Sequence, residues 1–439
     1  MNLKSVFIRP IRLISLLVLT GFSGLAQSDV PAPAPKQSQS IYLTHATIHI
    51  GDGKVLQNAM IAFNDGKIIL VAENPSFKTD ETMGKVIDCT GKHIYPGIIS
   101  LNTKIGLAEI EAVRATNDYA EVGTYNPNVR SIISYNTDSR VTPTVRSNGI
   151  LYAQTVPAGG TISGTSALVQ LDAWNWEDAL VKEDGIWLYW PSMITRGGWW
   201  AEPEPSKANK EYDKQLAAIK DYFREAKSYL EIDKHGKENL RFEALRDLFA
   251  GTKKLFVRVN RAQEIQHAIQ LAEEFKFQIV IAGGSESWMI ADVLAQKKIP
   301  VILSETHDLP ASDDADIDQP FKTPALLQKA GVLFCLSIPN GFWQERNLMF
   351  MAGTAAAYGL TKEQAIAAIT SNAAKIIGAE NKIGTLENNK AASLIVSTGD
   401  VLDMKTSNIE YAFIDGRQIN LNNKQKELNQ KFSKKYGLN

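Results

Sequence analysis

From Ile41 to Tyr95 the apolar positions come in short runs, IYLTHATIHI, AMIAF, KIILVAE and KVIDC, separated by Gly-Asp-Gly and Asn-Asp-Gly. That texture predicts short antiparallel strands and hairpins. It returns in IGTLENNKAASLIVSTGD and IEYAFIDGRQINL, between residues 383 and 421. Neither portion is long enough to bury a core alone, so the two are expected to pair into one small β domain, residues 41–95 with 382–423. Between them the period changes. LFVRV precedes a helical stretch to Phe275, QIVIAG a helix over 285–297, PVIL one near 324–330, and GVLFCLS one over 345–358. Near-continuous apolar strands alternating with helices imply a parallel sheet covered on both faces, and residues 96–381 suit a (β/α)8 barrel, with a doubly wound sheet as the alternative. TKEQAIAAITSNAAKIIG is expected as a closing helix, with Thr361 and Gln364 at capping-box spacing and Gly378 at its end. Tyr212, Leu216, Ile219, Phe223, Ala226 and Leu230 recur every three or four residues and predict a long amphipathic helix.

The two ends of the chain read differently. Lys4, Arg9 and Arg12 precede an apolar stretch from Leu13 to Leu19 that closes with Gly24-Leu25-Ala26, the pattern of a cleaved secretory signal over residues 1–26. Gly21, Ser23 and Gly24 break the run at about the length a membrane span of about 20 residues requires, so no stable span is expected after cleavage. An exported, periplasmic or secreted protein follows. Residues 27–40, Pro-, Ser- and Gln-rich, read as a flexible leader. The last segment, 424–439, is a charged tail or a solvated terminal helix.

The whole chain of 439 residues has 47 Lys and Arg against 48 Asp and Glu, a net charge of −1. With no basic excess to neutralise phosphates, nucleic-acid binding is disfavoured. Cys89 and Cys335 are far apart in apolar runs, so they form no CxxC motif or disulfide framework and are expected as buried thiols. Six of the eight Trp residues fall between Trp174 and Trp200, where they serve as packing or as a pocket wall.

YPGIISLNTKIGL, IGTLENNKAASLIV and a small β domain drawn from both chain ends resemble the amidohydrolase superfamily, in particular its imidazolonepropionase-like, exported branch. The resemblance spans residues 41–421 and implies a TIM-like (β/α)8 barrel with a small β-sandwich domain, an α/β fold that hydrolyses non-peptide C–N bonds with zinc or another divalent metal. Its strand-opening motif is PGxxDxHxH, whose two histidines hold the metal. Here that stretch reads Pro96-Gly97-Ile98-Ile99-Ser100-Leu101-Asn102-Thr103-Lys104, and both histidines are absent. The later ligand positions fall on Arg258 and Gly283, and the aspartate that would activate the metal-bound water falls on Pro339. The expectation is therefore no metal cofactor, with Asn102, Lys104 and Arg258 forming a site for a small, anionic ligand. The protein would be a pseudoenzyme that binds a ligand, forms a homo-oligomer or pairs with an active relative.

The rival reading is a metal-independent hydrolase of a cyclic amide or small peptide-like substrate, with His307, Asp308 and Lys104 as catalytic groups. SETHDLP follows a strand and would place His307 and Asp308 on a loop at the barrel's C-terminal face. The remaining histidines, 45, 49, 93, 235 and 267, read as packing or solvated positions. An assembly role for the charged tail is a third, weaker possibility.

Overall fold

The computed structural model describes residues 30–76, 82–195, 207–232, 236–304, 306–310, 315–339 and 341–438. The expected signal, His235, Trp199 and Trp200 lie outside the described residues. Among the described residues, no helix is long and apolar enough to cross a membrane.

The first sheet is built from β1 (Ile41–His49), β2 (Val55–Asn64), β3 (Lys67–Glu73), β4 (Lys85–Asp88), β5 (His93–Pro96) and, from the other end of the chain, β16 (Leu394–Ser397), β17 (Ile409–Ile414) and β18 (Arg417–Gln418). Its order is β18-β17-β16-β5-β1-β2-β3, with β4 also against β1. The join between the two ends is the antiparallel pair β5–β16, in register from His93 with Ser397 to Pro96 with Leu394. Leu43, Ile48, Ile61, Phe63 and Ile94 from one end and Leu394, Val396 and Phe413 from the other fill a single apolar cluster. Phe63 and Phe413 meet edge to face at 5.0 Å, so each end supplies a ring that the other lacks. The strands are hydrogen-bonded in one order, yet β2 and β17 stand four places apart in it while their rings meet, so the sheet curls back over a shared core as expected of a small β-sandwich; two register shifts interrupt β1 against β2. Such irregularities bend a strand locally.

The second sheet runs β6 (Ile98–Thr103), β7 (Ile150–Thr155), β8 (Ile162–Gln170), β9 (Leu180–Tyr189), β12 (Lys254–Val259), β13 (Ile279–Gly283), β14 (Val301–Leu303) and β15 (Phe334–Leu336). A parallel bridge from Leu101 to Ser337 joins its two edges and closes the barrel. The short ribbon β10 (Ile194–Thr195) with β11 (Lys207–Ala208) lies outside it. The second half of the barrel follows the expected strand–helix alternation, with helices Ala262–Phe275, Ala291–Gln296, Gln319–Ala330 and Leu348–Ala357 after successive strands. The first half departs from it: β8 pairs antiparallel with both β7 and β9. Seven strands thus share a direction and one opposes them. The segment Ala158-Gly159-Gly160-Thr161 turns the chain directly from β7 into β8, with Gly159 and Gly160 at φ 93° and 71°, so no crossover helix is needed.

Helix Tyr212–Leu230 forms as predicted and buries Tyr212, Ile219, Phe223 and Ala226. The closing helix is instead two, Lys362–Ala368 and Ser371–Ile377. The Ile369 carbonyl is taken by the Ile99 amide of β6 at 2.9 Å, which diverts it from continuing the helix. The Thr361–Gln364 capping box and the left-handed Gly378 end are both present.

The described part of the expected flexible leader is fastened down. The Ala34 amide donates to Asp172 Oδ2 at 2.9 Å, Arg417 Nη1 to the Ala34 carbonyl at 3.3 Å and Gln37 Nε2 to the Phe63 carbonyl at 2.9 Å, while Gln37 Oε1 accepts from the Gly66 amide at 2.9 Å. An extended proline-rich strand makes no internal hydrogen bonds, which leaves its backbone groups available to these buried partners.

Candidate functional site

Residues at the C-terminal ends of the parallel strands share one face of the barrel, and the resemblance-derived positions fall there. Lys104 directly follows β6. Arg258 lies near the end of β12, in register with Tyr189 of β9 and Ala282 of β13. In the strand order β6 and β12 stand four places apart, across the barrel from each other. Nevertheless Arg258 holds the Lys104 ammonium below its ordinary pKa, second only to burial as a cause, with Glu111 opposing. That influence acts through space across the barrel. Each cation also faces an aromatic ring: Lys104 Nζ lies 4.2 Å from the Tyr119 centroid, and the Arg258 guanidinium carbon 5.4 Å from that of Tyr189. Such ring faces attract cations without neutralising them.

Asn102 differs from its expected geometry. Its φ is 59°, in the left-handed region that asparagine tolerates better than most residues. Regular alternation along β6 therefore stops at Asn102, and sharing a strand does not aim it beside Lys104. Asn102 is buried, and its Nδ2 has no hydrogen-bond partner among the described residues. Its amide donates to Gln154 Oε1 at 3.1 Å, and Gln154 leads into a buried polar chain. Gln154 Nε2 donates to Asp184, Ser166 Oγ to Asp184 Oδ1 at 2.5 Å and Trp187 Nε1 to Ser166 Oγ at 2.7 Å. Burial raises the Asp184 carboxyl to about 6 despite these donors. Glu345 is also fully buried; it accepts from Ser100 and lies beside the Thr103 hydroxyl, and burial raises it to about 8. The sequence reading missed both acids. Their signal was a carboxylate inside an apolar strand for Asp184 and one in a short helical turn for Glu345, neither distinguishable from a surface acid without the fold.

The residues at the positions where the resemblance would place metal ligands do not supply a donor set for a divalent metal. Lys104 and Arg258 are cations, Pro339 has no donor side chain, and no cluster of three or more His, Cys, Asp or Glu able to hold an ion occurs among the described residues. Gly283 is more restrictive still. Its φ is 103°, and a Cβ built there would lie 2.5 Å from Asn260 Oδ1 and 3.0 Å from the Val259 carbonyl oxygen, so that position has no room for a histidine without rebuilding the strand end.

His307 and Asp308 are placed apart from this group. His307 Nε2 is 2.6 Å from Thr354 Oγ1 of helix Leu348–Ala357, and its ring meets Phe321 of helix Gln319–Ala330 edge to face at 6.3 Å. Burial lowers its pKa. Asp308 Oδ1 accepts from the Leu309 amide at 2.8 Å, a turn contact. No contact among the described residues links either side chain to Lys104. The rival catalytic set is therefore not brought together, because the loop packs His307 onto the helical layer.

The other histidines among the described residues also find partners. His49 Nδ1 is 2.7 Å from Glu363 Oε1, and its Nε2 is 3.0 Å from His93 Nδ1. His45 faces Asp88 at 3.1 Å, and His267 faces the Tyr212 hydroxyl at 2.8 Å. Trp187 stacks on Phe256, and Trp190 donates to the Tyr212 hydroxyl at 3.1 Å, so these tryptophans pack the barrel. Both cysteines are buried and free.

The amidohydrolase family model matches residues 324–419, from the helix before β15 to the end of the small sheet. An amidohydrolase structure from Thermotoga maritima MSB8 is 25% identical, with a TM-score of 0.74 over 87% of this chain and 99% of that one. The fold and the C-terminal part of the sequence are thus similar to those of the amidohydrolase superfamily. More distant amidohydrolase-fold structures share the architecture. Molinate hydrolase is 13% identical with a TM-score of 0.54, covering 88% of this chain and 95% of that one. An adenosine deaminase from Xanthomonas campestris with bound zinc is 13% identical with a TM-score of 0.51, covering 88% and 93%. No curated protein matches the sequence.

Proposed function

We propose that this amidohydrolase-family chain is exported and that its barrel mouth binds a small anionic ligand in place of a catalytic metal. The observation that carries this reading is the cross-barrel pair of Lys104 and Arg258. Like charges brought together in a half-buried site repel, and an anion between them relieves that repulsion while gaining two charge-assisted contacts. No carboxylate lies within ion-pair distance of Lys104 among the described residues. Glu345, raised by burial to about 8, is neutral at pH 7 and leaves the positive charge at this end of the barrel in place. A chain with this mouth acts as a ligand-binding or partner-pairing member of a hydrolase family.

Isothermal titration of the mature protein with succinate and inorganic phosphate tests the reading. Lys104→Ala is expected to weaken binding of either probe roughly tenfold or more, about 1.4 kcal/mol, with an unchanged circular-dichroism spectrum. Unchanged affinity sinks the anion site. Elemental analysis checks the other half: about one zinc per chain after purification would overturn the metal-free reading.

A further inference from the structure

A second charged site lies away from the barrel mouth, beneath the docked leader. Residues Val30–Pro33 form one wall of a cavity of about 130 Å³ whose other walls include Tyr135, Arg146, Ala173 and Trp174. Arg146 is 2% exposed. Its Nη1 donates to the Leu171 carbonyl at 3.0 Å and to Asp172 Oδ1 at 2.5 Å. The remaining edge of the guanidinium, Nε and Nη2, has no partner among the described residues.

Asp172 cannot supply one. Its second oxygen, Oδ2, already accepts from the Ala34 amide at 2.9 Å and from Arg417 Nη1 at 2.8 Å. Arg417 Nη2 is satisfied by Gln170 Oε1 at 2.7 Å and the Asp172 carbonyl at 3.1 Å. Two guanidinium groups thus share the Asp172 carboxylate, Asp415 also acts on Arg417 through space, and the Nε–Nη2 edge of Arg146 is left without an acceptor. Asp138 lines the cavity as well, but it is exposed to solvent, which screens its charge. Buried N–H groups of a cation without an acceptor are costly. The Nε–Nη2 edge presents two parallel donors, the geometry that pairs with both oxygens of a planar oxyanion.

We propose that this cavity is a binding site for a small monocarboxylate or similarly planar oxyanion, held bidentately by the Nε–Nη2 edge of Arg146 and covered by residues 30–33. The volume admits a guest of a few heavy atoms. The apolar faces of Pro31, Ala32 and Trp174 suit a short aliphatic tail. This site is independent of the barrel mouth, because none of its residues is shared with Lys104, Asn102 or Arg258.

Titration of the full chain with acetate and formate, with acetamide and chloride as controls, provides the test. Acetate or formate is expected to bind and to raise the melting temperature, while acetamide, neutral and of the same shape, is not. Arg146→Lys keeps the charge but loses the fork, and is expected to weaken acetate binding about tenfold or more. Ala173→Leu, which fills the cavity and leaves the Arg146–Asp172 pair alone, is expected to do the same if Arg146→Lys fails to fold. In the Lys104→Ala background, which weakens the mouth, acetate is still expected to bind, and Ala173→Leu to remove that binding. No binding of acetate or formate at millimolar concentration, equal binding of chloride, or loss of acetate binding in Lys104→Ala with retention in Ala173→Leu would each overturn the proposal.

Discussion

Asp172, under the leader, and Glu345, beside β6, are both buried carboxyl groups, yet their surroundings differ. Asp172 sits between two guanidinium groups and a backbone amide. Glu345 has hydroxyls only, from Ser100 and Thr103, and its Oε1 has no partner among the described residues. Burial against neutral groups favours the protonated form of Glu345. The difference shows how this fold places charge. It keeps an ion-paired core where the leader meets both the barrel and the small sheet, and it keeps a neutral acid inside the barrel, below the two cations at the mouth.

Removing the charge from the first region is the largest perturbation. Asp172→Ala removes the carboxylate that both Arg146 and Arg417 contact and leaves buried Arg146 without its ion-pair partner, and urea denaturation is expected to register a loss of about 3–5 kcal/mol. A loss under about 1 kcal/mol would show that the leader region is not held by this pair. The second region responds to pH in a defined direction. In the unfolded chain Glu345 ionises near its ordinary value of 4.5, and in the folded protein near 8. Below about pH 4.5 both states hold the proton and this group imposes no cost. As pH rises through the window between these values, the unfolded state releases its proton and the folded state does not, so stability falls until about pH 8 and then levels off. Glu345→Gln is expected to flatten this slope and to be more stable than the parent at pH 8 by on the order of 2–4 kcal/mol. Parallel pH–stability curves for the two proteins would refute the raised value. Asp184 adds a smaller decline of the same sign, complete near pH 6.

The sequence showed one half of the barrel more clearly than the other. In the second half, strands such as LFVRV and QIVIAG are buried on both faces and alternate with amphipathic helices, so the period itself reports the fold. In the first half, the reversal of β8 was hidden because an apolar run does not say which way its strand points; GGTISG marked a turn without giving its destination. The cations of the mouth were legible by position, because Lys104 and Arg258 stand where a motif would place other residues. The left-handed backbone of Asn102 was not legible, since it depends on packing around β6. His307 was misplaced for a related reason: a loop after a strand can turn over the mouth or back onto the helices, and Thr354 and Phe321 decide this from over a dozen residues away in sequence. Arg146 gave no signal at all, because a buried arginine in VTPTVR resembles a solvated one until Asp172 and Arg417 are brought to it.

The leader offers the finest probe of the comparison, because it contributes one backbone donor to Asp172 and nothing to Glu345. Ala34→Pro deletes that donor, and the extended, proline-rich neighbourhood accommodates the ring. Asp172 keeps both arginines, so the expected cost is a single hydrogen bond, about 1 kcal/mol by urea denaturation. The same change is expected to speed proteolytic cleavage near residues 30–36 while leaving the pH slope assigned to Glu345 unaltered. An altered slope would mean that the two regions are coupled through the barrel wall. An unaltered slope with faster cleavage would show that the ion-paired carboxylate holds the leader in place while the neutral acid of the barrel titrates on its own.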